Sequence, residues 1–156
     1  MILKKSALQK EIQKWRAAGQ KIVLTNGCFD LIHVGHLRTF REAKKLGDIL
    51  IVGINSDQSV QSLKGPTRPI ISENERAELV AALKPVDHVI IFEELNVSDL
   101  LELVRPDYYV KGGDYSLETL PERDAIVRLN IKLKIIPLVQ GISTSELVKK
   151  IRNANI

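Results

Sequence analysis

Two histidines on either side of one glycine are the residues of this chain best suited to chemistry. His33 and His36 stand three positions apart, with Gly35 between them. Neighbouring imidazoles can donate hydrogen bonds to the charge that builds up when a phosphoryl group is attacked. Two alternatives are that the histidines only cap a turn or that they bind a metal, although no third ligand lies nearby in the sequence. The pattern favours a site for a highly charged phosphate compound.

The flanking elements must bring both histidines to one spot. Residues 21–24 are typical of a short buried strand, and after the turn apolar side chains recur with the period of a helix, at Leu37, Phe40, Ala43 and Leu46. We expect this helix to open at or near His36 and to end at Gly47. Because a helix N-terminus presents unpaired N–H groups and a positive dipole end, it is a ready site for phosphate.

Two lysines and a glycine pair are further candidates. Lys64 lies in a basic loop, residues 63–69, that two prolines stiffen, and Lys111 precedes Gly112-Gly113 at a predicted strand end. Each lysine can neutralise phosphate oxygens as a point charge, or can simply be a solvated surface residue. The glycine pair allows the backbone to approach a base or ribose closely.

Three other positions have both a structural and a functional interpretation. Ser143-Thr144 opens the last predicted helix as a cap, and the same N-terminus suits phosphate. Arg76 lies in the first turns of a helix that Ser72 and Glu75 are predicted to open as a capping box. A cation is unfavourable there, so Arg76 either serves function or pairs with a carboxylate. Asp30 is expected to hold the turn, with a role in magnesium or phosphate geometry as the alternative. Cys28 is expected to be a small buried hydrophobe, with a redox role as the alternative.

Composition limits the class of protein. The chain has 156 residues, of which 44% are apolar and 27% charged, with a net charge of +4 and one cysteine. One cysteine allows no intramolecular disulfide, no apolar run approaches the roughly 20 residues that span a bilayer, and no Lys/Arg block indicates nucleic acid. Neither a P-loop nor a three-glycine dinucleotide fingerprint is present. We expect a cytoplasmic enzyme that binds neither membrane nor nucleic acid.

Strand and helix patterns alternate along the chain. Strands are predicted at 21–24, 48–54, 88–92, 107–110 and 132–136, and helices at 6–18, 36–46, 72–83, 97–104, 120–130 and from 143 onward. This alternation predicts an α/β fold, a Rossmann-like doubly wound parallel sheet with flanking helices. We expect a single domain over 1–156, with an N-terminal helix in 1–19 and the α/β core in 20–156.

The central segment resembles the T/G-x-F-D-x-x-H-x-G-H signature of the cytidylyltransferase-like nucleotidyltransferases. The match covers Gly27, Phe29, Asp30, His33, Gly35 and His36. Within that superfamily, the strings Leu63-Lys64-Gly65-Pro66, Val110-Lys111-Gly112-Gly113-Asp114-Tyr115 and Gly141-Ile142-Ser143-Thr144 resemble the adenylyltransferase domain of bacterial ADP-heptose synthases. The K-G-G-D-Y string is the most specific of these, and the resemblance runs from residue 21 to residue 151.

The resemblance implies transfer of AMP from ATP to D-glycero-β-D-manno-heptose 1-phosphate, with release of pyrophosphate, for lipopolysaccharide synthesis. It implies no metal bound by the protein itself, Mg²⁺ carried by the ATP, a homodimer, and a separate heptose kinase that supplies the sugar phosphate. By position, it makes His33, His36 and Lys64 catalytic and assigns acceptor binding to Arg76 and Asp30. Nucleotide binding is assigned to Asn26, Gly27, Cys28, Phe29, Gly35, Lys111, Gly112, Gly113, Asp114, Ser143 and Thr144.

Other functions remain open at this point. A glycerol-3-phosphate cytidylyltransferase and an FMN adenylyltransferase belong to the same superfamily, and a nucleotide-sensing module would keep the site without turnover. Glycerol-3-phosphate cytidylyltransferases carry R-T-E before G-I-S-T, whereas this chain has Leu138-Val139-Gln140. That difference favours the adenylyl reaction.

Overall fold

A five-stranded parallel sheet forms the centre of the computed structural model, which describes residues 1–137 and 141–154. Its strands are β1 (Ile22–Gly27), β2 (Ile49–Asn55), β3 (His88–Phe92), β4 (Tyr108–Gly112) and β5 (Lys132–Ile136). They lie in the order β3-β2-β1-β4-β5. After β1 the chain winds outward to β2 and β3, and then returns to the other side of β1. Ligands of open α/β sheets bind at the carboxyl ends of the strands beside such a switch point, here between β1 and β4.

Seven α-helices connect and flank the strands in the described part of the chain. They are α1 (Lys5–Ala17), α2 (Val34–Lys44), α3 (Asp57–Lys64), α4 (Glu73–Ala81), α5 (Ser98–Val104), α6 (Arg123–Arg128) and α7 (Thr144–Asn153). A single 3₁₀ turn, Leu117–Thr119, precedes α6. Among the described residues, no helix is both long and apolar enough to span a membrane.

Helices cover both faces of the sheet, because successive strand side chains point to opposite sides. In β1, Ile22 and Leu24 pack with the apolar faces of α1, α5 and α6. Val23, between them, packs on the other face with α2 and α4. The doubly wound parallel sheet predicted from the sequence is therefore confirmed.

Several element boundaries differ from the sequence prediction. Helix α2 begins at Val34, with His33 as its N-cap residue, earlier than expected. Helix α1 begins at Lys5 without a side-chain cap, and the predicted helix over 120–130 is shorter, at Arg123–Arg128. The caps predicted at Ser72 and Ser143 are confirmed. Residues 138–140, which the sequence comparison contrasts with R-T-E, lie outside the described residues.

Helix α3 was not predicted, and Lys64 is its last residue rather than part of the following loop. The segment is short and polar, and Val60 is its one buried apolar side chain, so it carries almost no helical period. Its start is fixed locally, because the Ser56 hydroxyl accepts a hydrogen bond of 3.1 Å from the Ser59 N–H.

Candidate active site

A cleft of about 860 Å³ opens at the carboxyl ends of β1 and β4. This volume is toward the upper end of the range for small-molecule sites. Its lining contains every residue that the sequence assigns to catalysis or nucleotide binding, namely Asn26, Gly27, Cys28, Phe29, His33, Gly35, His36, Lys64, Lys111, Gly112, Gly113, Asp114, Ser143 and Thr144. The fold thus brings together residues from β1, α2, α3, β4 and α7.

The two histidines of the motif form one stacked pair. Their ring centroids lie 3.8 Å apart with the planes inclined by 22°. The His33 backbone N–H donates to His36 Nδ1 at 3.4 Å, which leaves the proton of neutral His36 on Nε2. Burial, together with the nearby His33 and Lys64, lowers the pKa of His36 from 6.5 to about 4. At neutral pH, His36 is therefore an uncharged donor through Nε2–H.

His33 is also neutral, because burial lowers its pKa below 6.5. Its Nδ1 is buried and has no hydrogen-bond partner among the described residues. Gly35 makes room for this ring, since a Cβ at that position would lie 2.9 Å from His33 Nδ1. The glycine of the motif is thus required by the close approach of an imidazole.

The Phe29 ring packs against the histidine pair through His36. It meets the His36 ring edge-on at 5.2 Å and packs against Phe40 at the same distance. The backbone of Phe29 has φ +48°, a conformation uncommon for a bulky residue, and a Cβ at Gly27 would lie 2.9 Å from the Phe29 ring. Gly27 and Phe29 therefore serve to hold His36 in place.

Lys111 is the cation at the base of the cleft. Its Nζ donates to Asn26 Oδ1 at 3.2 Å and lies 3.8 Å from Glu122 Oε1. Burial lowers the pKa of Lys111, and the charge of Glu122 opposes that effect. The second lysine of the cleft, Lys64, lies close enough to His36 to lower the pKa of that imidazole.

The glycine pair after Lys111 is packed tightly. A Cβ at Gly112 would lie 3.0 Å from Thr39 Oγ1, and one at Gly113 would lie 2.9 Å from the Tyr115 ring. Gly113 also has φ +138°, which side chains rarely adopt. The loop therefore runs directly over α2, and Asp114 is exposed at its rim.

The N-termini of α2 and α7 meet at the cleft. Ser143 caps α7 by accepting a hydrogen bond of 3.1 Å from the Glu146 N–H, and Thr144 Oγ1 donates to the Leu31 carbonyl at 3.5 Å. The Ile142 carbonyl comes within 4.0 Å of where a Gly35 Cβ would be. Two positive helix ends facing one cavity favour a polyanionic ligand.

Asp30 lies outside the cleft lining and holds the turn, as the residue pattern indicated. Its Oδ1 accepts from the backbone N–H groups of Ile70 and Ile71 at 2.8 and 3.0 Å, and its Oδ2 pairs with Arg68 Nε. Burial alone would raise the pKa of Asp30, but these bonds hold it below 3.8. Both carboxylate oxygens thus bind the 68–71 segment, and the acceptor role implied by the family resemblance stays a prediction.

Arg76 also lies beneath the cleft rather than in it. Its side chain is 0% exposed, and it donates to three backbone carbonyls, those of Cys28, Asn55 and Ile71, at 2.5, 2.8 and 2.9 Å. The fourth contact is an ion pair with Asp57 at 2.7 Å. The carboxylate pairing that the sequence left open is thus formed, and the acceptor role implied by the family resemblance stays a prediction.

Sequence reasoning missed a buried polar pair, in which Glu122 lines the cleft floor and Tyr109 lies beneath it. The Tyr109 hydroxyl lies 2.6 Å from Asn26 Oδ1 and also contacts Glu122 Oε1. Glu122 belongs to no motif, and Tyr109 falls within an apolar strand pattern, so no local signal marked either residue. No group of three or more His, Cys, Asp or Glu side chains in the described ranges could hold a metal ion.

Comparisons with known proteins agree with this geometry. A family model described as cytidylyltransferase-like matches residues 24–150. The bifunctional protein HldE of Syntrophotalea carbinolica is 44% identical over 147 residues, which cover 94% of this chain and 30% of that protein. HldE of Wolinella succinogenes is 44% identical over 153 residues, covering 98% and 31%. The chain therefore spans about three tenths of the length of these relatives.

A solved structure shows the same fold. The lipopolysaccharide core biosynthesis protein from Thermoplasma volcanium superposes with a TM-score of 0.65 at 31% identity, over 80% of this chain and 100% of that one. The family resemblance read from the motif is confirmed by these matches. With its stacked histidines at the switch point of a parallel sheet, the chain belongs to the cytidylyltransferase-like family and is a nucleotidyltransferase.

Proposed function

We propose that the protein transfers AMP from ATP to D-glycero-β-D-manno-heptose 1-phosphate, forming ADP-heptose and pyrophosphate. The observation that carries the proposal is the neutral, stacked His33–His36 pair in a cleft that also contains Lys64 and Lys111. The choice of acceptor rests on the K-G-G-D-Y string, which resembles ADP-heptose synthases, and agrees with the names of the relatives.

The reaction is an in-line displacement at the α-phosphorus of ATP. A phosphate oxygen of the sugar forms the new O–P bond while the bond to the bridging oxygen breaks, and pyrophosphate leaves with that electron pair. His36 Nε2–H donates to the α-phosphate oxygens as charge builds there, and His33 stabilises the same group. Because the sugar phosphate is already an anion, the reaction needs no general base, so catalysis is mainly positioning and electrostatics.

The lysines bind the rest of the triphosphate. Lys64 approaches the phosphates from the side of α3, and Lys111 approaches from β4. Asn26, the glycine loop 112–113 and the N-terminus of α7 line the remainder of the nucleotide site. Mg²⁺ would be held by the ATP phosphates and water, the ligands it prefers, and would supply positive charge beside the leaving pyrophosphate.

Arg76 and Asp30 act indirectly in this proposal. Arg76 donates hydrogen bonds to carbonyls just after β1, at the end of β2 and in the 68–71 segment. Asp30, in the motif turn, accepts hydrogen bonds from the same segment. We assign both to positioning.

A separate heptose kinase supplies the sugar 1-phosphate in this proposal. The resemblance also implies a homodimer, which light scattering in solution would test.

The deciding experiment is pyrophosphate release with Mg²⁺ over a grid of ATP and CTP against heptose 1-phosphate, glycerol 3-phosphate and FMN. We expect a signal only with ATP and the β-heptose phosphate. A signal with CTP and glycerol phosphate, or with ATP and FMN, would keep the histidine chemistry and overturn the acceptor. Nucleotide binding without turnover of any pair would instead identify a sensing module.

A further inference from the structure

Glu122 places a carboxylate on the floor of the cleft, beneath the expected path of a polyanion. It is 4% exposed and immediately precedes α6. One of its oxygens contacts the Tyr109 hydroxyl and lies 3.8 Å from Lys111 Nζ. A buried carboxylate is costly unless it is paired and hydrogen-bonded, so its partners indicate what it does.

The partners connect Glu122 to two residues assigned to the nucleotide. Burial and the charge of Glu122 raise the pKa of Tyr109 well above 10.0, so its hydroxyl keeps its proton. That hydroxyl lies between Glu122 and Asn26, and Asn26 Oδ1 in turn accepts from Lys111. Glu122 thus reaches Lys111 both directly and through Tyr109 and Asn26.

Lys111 needs such support because its surroundings favour the neutral amine. The side chain is largely removed from water, and desolvation is the largest influence on its protonation. The titratable groups that face it are Tyr109 on its own strand, Tyr115 beyond the glycine pair, Cys28 from the motif turn, and Glu122 before α6. Among these groups, Glu122 is the carboxylate.

We propose that Glu122 is a positioning residue that keeps the Lys111 ammonium charged and directed toward the triphosphate. This inference rests on the proposed nucleotide site and deepens it. Glu122 acts through Lys111 and touches no reacting atom. A simpler view, in which Glu122 is only a negative charge near a polyanion, predicts the opposite: its removal would tighten nucleotide binding at every pH.

The test compares Glu122→Gln with the wild-type protein in binding a non-hydrolysable ATP analogue from about pH 6 to about pH 10. Glutamine keeps the shape and can still accept from Tyr109. If the carboxylate keeps Lys111 charged, Glu122→Gln should lose affinity for the analogue at a pH about one unit lower than the wild-type protein does. Between those two pH values the variant should bind about tenfold more weakly. Glu118→Gln, at an exposed acid in the preceding 3₁₀ turn, should retain the wild-type profile.

Two further variants isolate the charge. In a Lys111→Arg background the cation cannot be deprotonated, so Glu122→Gln should no longer shift the profile. Glu122→Asp retains the charge and should shift it less than Glu122→Gln, which also provides a test if the glutamine variant does not fold. The proposal would be overturned if Glu122→Gln bound the analogue with an unshifted pH dependence or with higher affinity than the wild-type protein. It would also be overturned if Glu122→Asp shifted the pH dependence as far as Glu122→Gln does.

A ¹³C NMR titration of the Lys111 side chain, assigned with Lys111→Arg, tests the pairing without nucleotide or acceptor. We expect Glu122→Gln to lower the lysine pKa by about one unit. If the wild-type protein binds no ATP analogue but the lysine still responds, the pairing is correct and the nucleotide site is wrong. An unresponsive lysine overturns the pairing, whichever acceptor the enzyme uses.

Discussion

His36 Nδ1 accepts a hydrogen bond from the backbone N–H of His33, and the two rings stack with their centroids 3.8 Å apart. This contact fixes which nitrogen of His36 carries the proton, and burial keeps the ring neutral. A neutral imidazole with a fixed Nε2–H is prepared to stabilise developing negative charge without first losing a proton. The arrangement leads to predictions about catalysis, pH and the residues beneath the cleft.

Replacing His36 with alanine should lower kcat by about 10²- to 10³-fold, the usual effect of removing one donor to transition-state charge. The affinity for ATP should change much less, because two lysines and two helix ends also face the cleft. Steady-state kinetics together with calorimetric ATP binding separate the two effects. Arg38→Ala, on the exposed face of α2, is the matched control. An unaltered kcat in folded His36→Ala would remove His36 from the mechanism.

Acid should destabilise the free protein through His36. Its pKa is about 4 when folded against 6.5 as the reference, so the unfolded chain binds more protons between these values. The contribution of His36 to the free energy of unfolding is therefore fully present above pH 6.5. It is lost as the pH drops toward 4, by about 3 kcal/mol in total. Urea unfolding over this range measures the loss. His36→Asn should lack it, and equal slopes for both proteins would contradict the assignment.

Lys111→Ala should raise the KM for ATP by about 10- to 100-fold, with a smaller effect on kcat, because the ammonium binds the triphosphate in both the ground and transition states. Lys132→Ala, at an exposed lysine on the neighbouring strand, controls for the loss of one charge. Initial rates at varied ATP provide the measurement. An unchanged KM would remove Lys111 from the nucleotide site.

Gly35→Ala should lower kcat by about tenfold or more without unfolding the protein. The added methyl would lie 2.9 Å from the His33 ring, so the stacked pair must move, and small displacements of catalytic groups are costly. The histidine signals in ¹⁵N NMR should shift accordingly. Val34→Ala, at the exposed neighbouring residue, should leave both kcat and these signals unchanged. Retained activity in Gly35→Ala would show that the stacking does not matter.

Arg76→Leu should destabilise the fold by about 3–5 kcal/mol, since it leaves the buried Asn55 carbonyl and the partly buried Cys28 and Ile71 carbonyls without their donor. Asp57→Ala removes the partly exposed member of the ion pair and leaves the buried Arg76 guanidinium with its carbonyl partners but without its counter-ion, so it should cost less, about 1–3 kcal/mol. Denaturant titration measures both. If Arg76 instead binds the acceptor, its variant would raise the acceptor KM and leave the unfolding midpoint unchanged.

The sequence by itself determined the fold class and most of the cleft. Strands β3 and β5 were predicted to the residue, and the caps at Ser72 and Ser143 were correct. Apolar period and helix capping depend on neighbours a few positions apart, so they can be read locally. The composition of the cleft could be predicted because its motif residues follow the carboxyl ends of strands or begin helices. In a parallel sheet, the carboxyl ends of neighbouring strands lie at the same edge.

Only the tertiary structure decided the roles of residues whose contacts span long stretches of chain. Arg76 binds the Cys28 carbonyl 48 positions away, and Lys111 binds Asn26 across 85 positions. Glu122 and Tyr109 form their hydrogen bond through the packing of α6 against the sheet. Whether a cation faces substrate or backbone carbonyls is set by which distant oxygens the fold brings to it, and no local pattern contains that information.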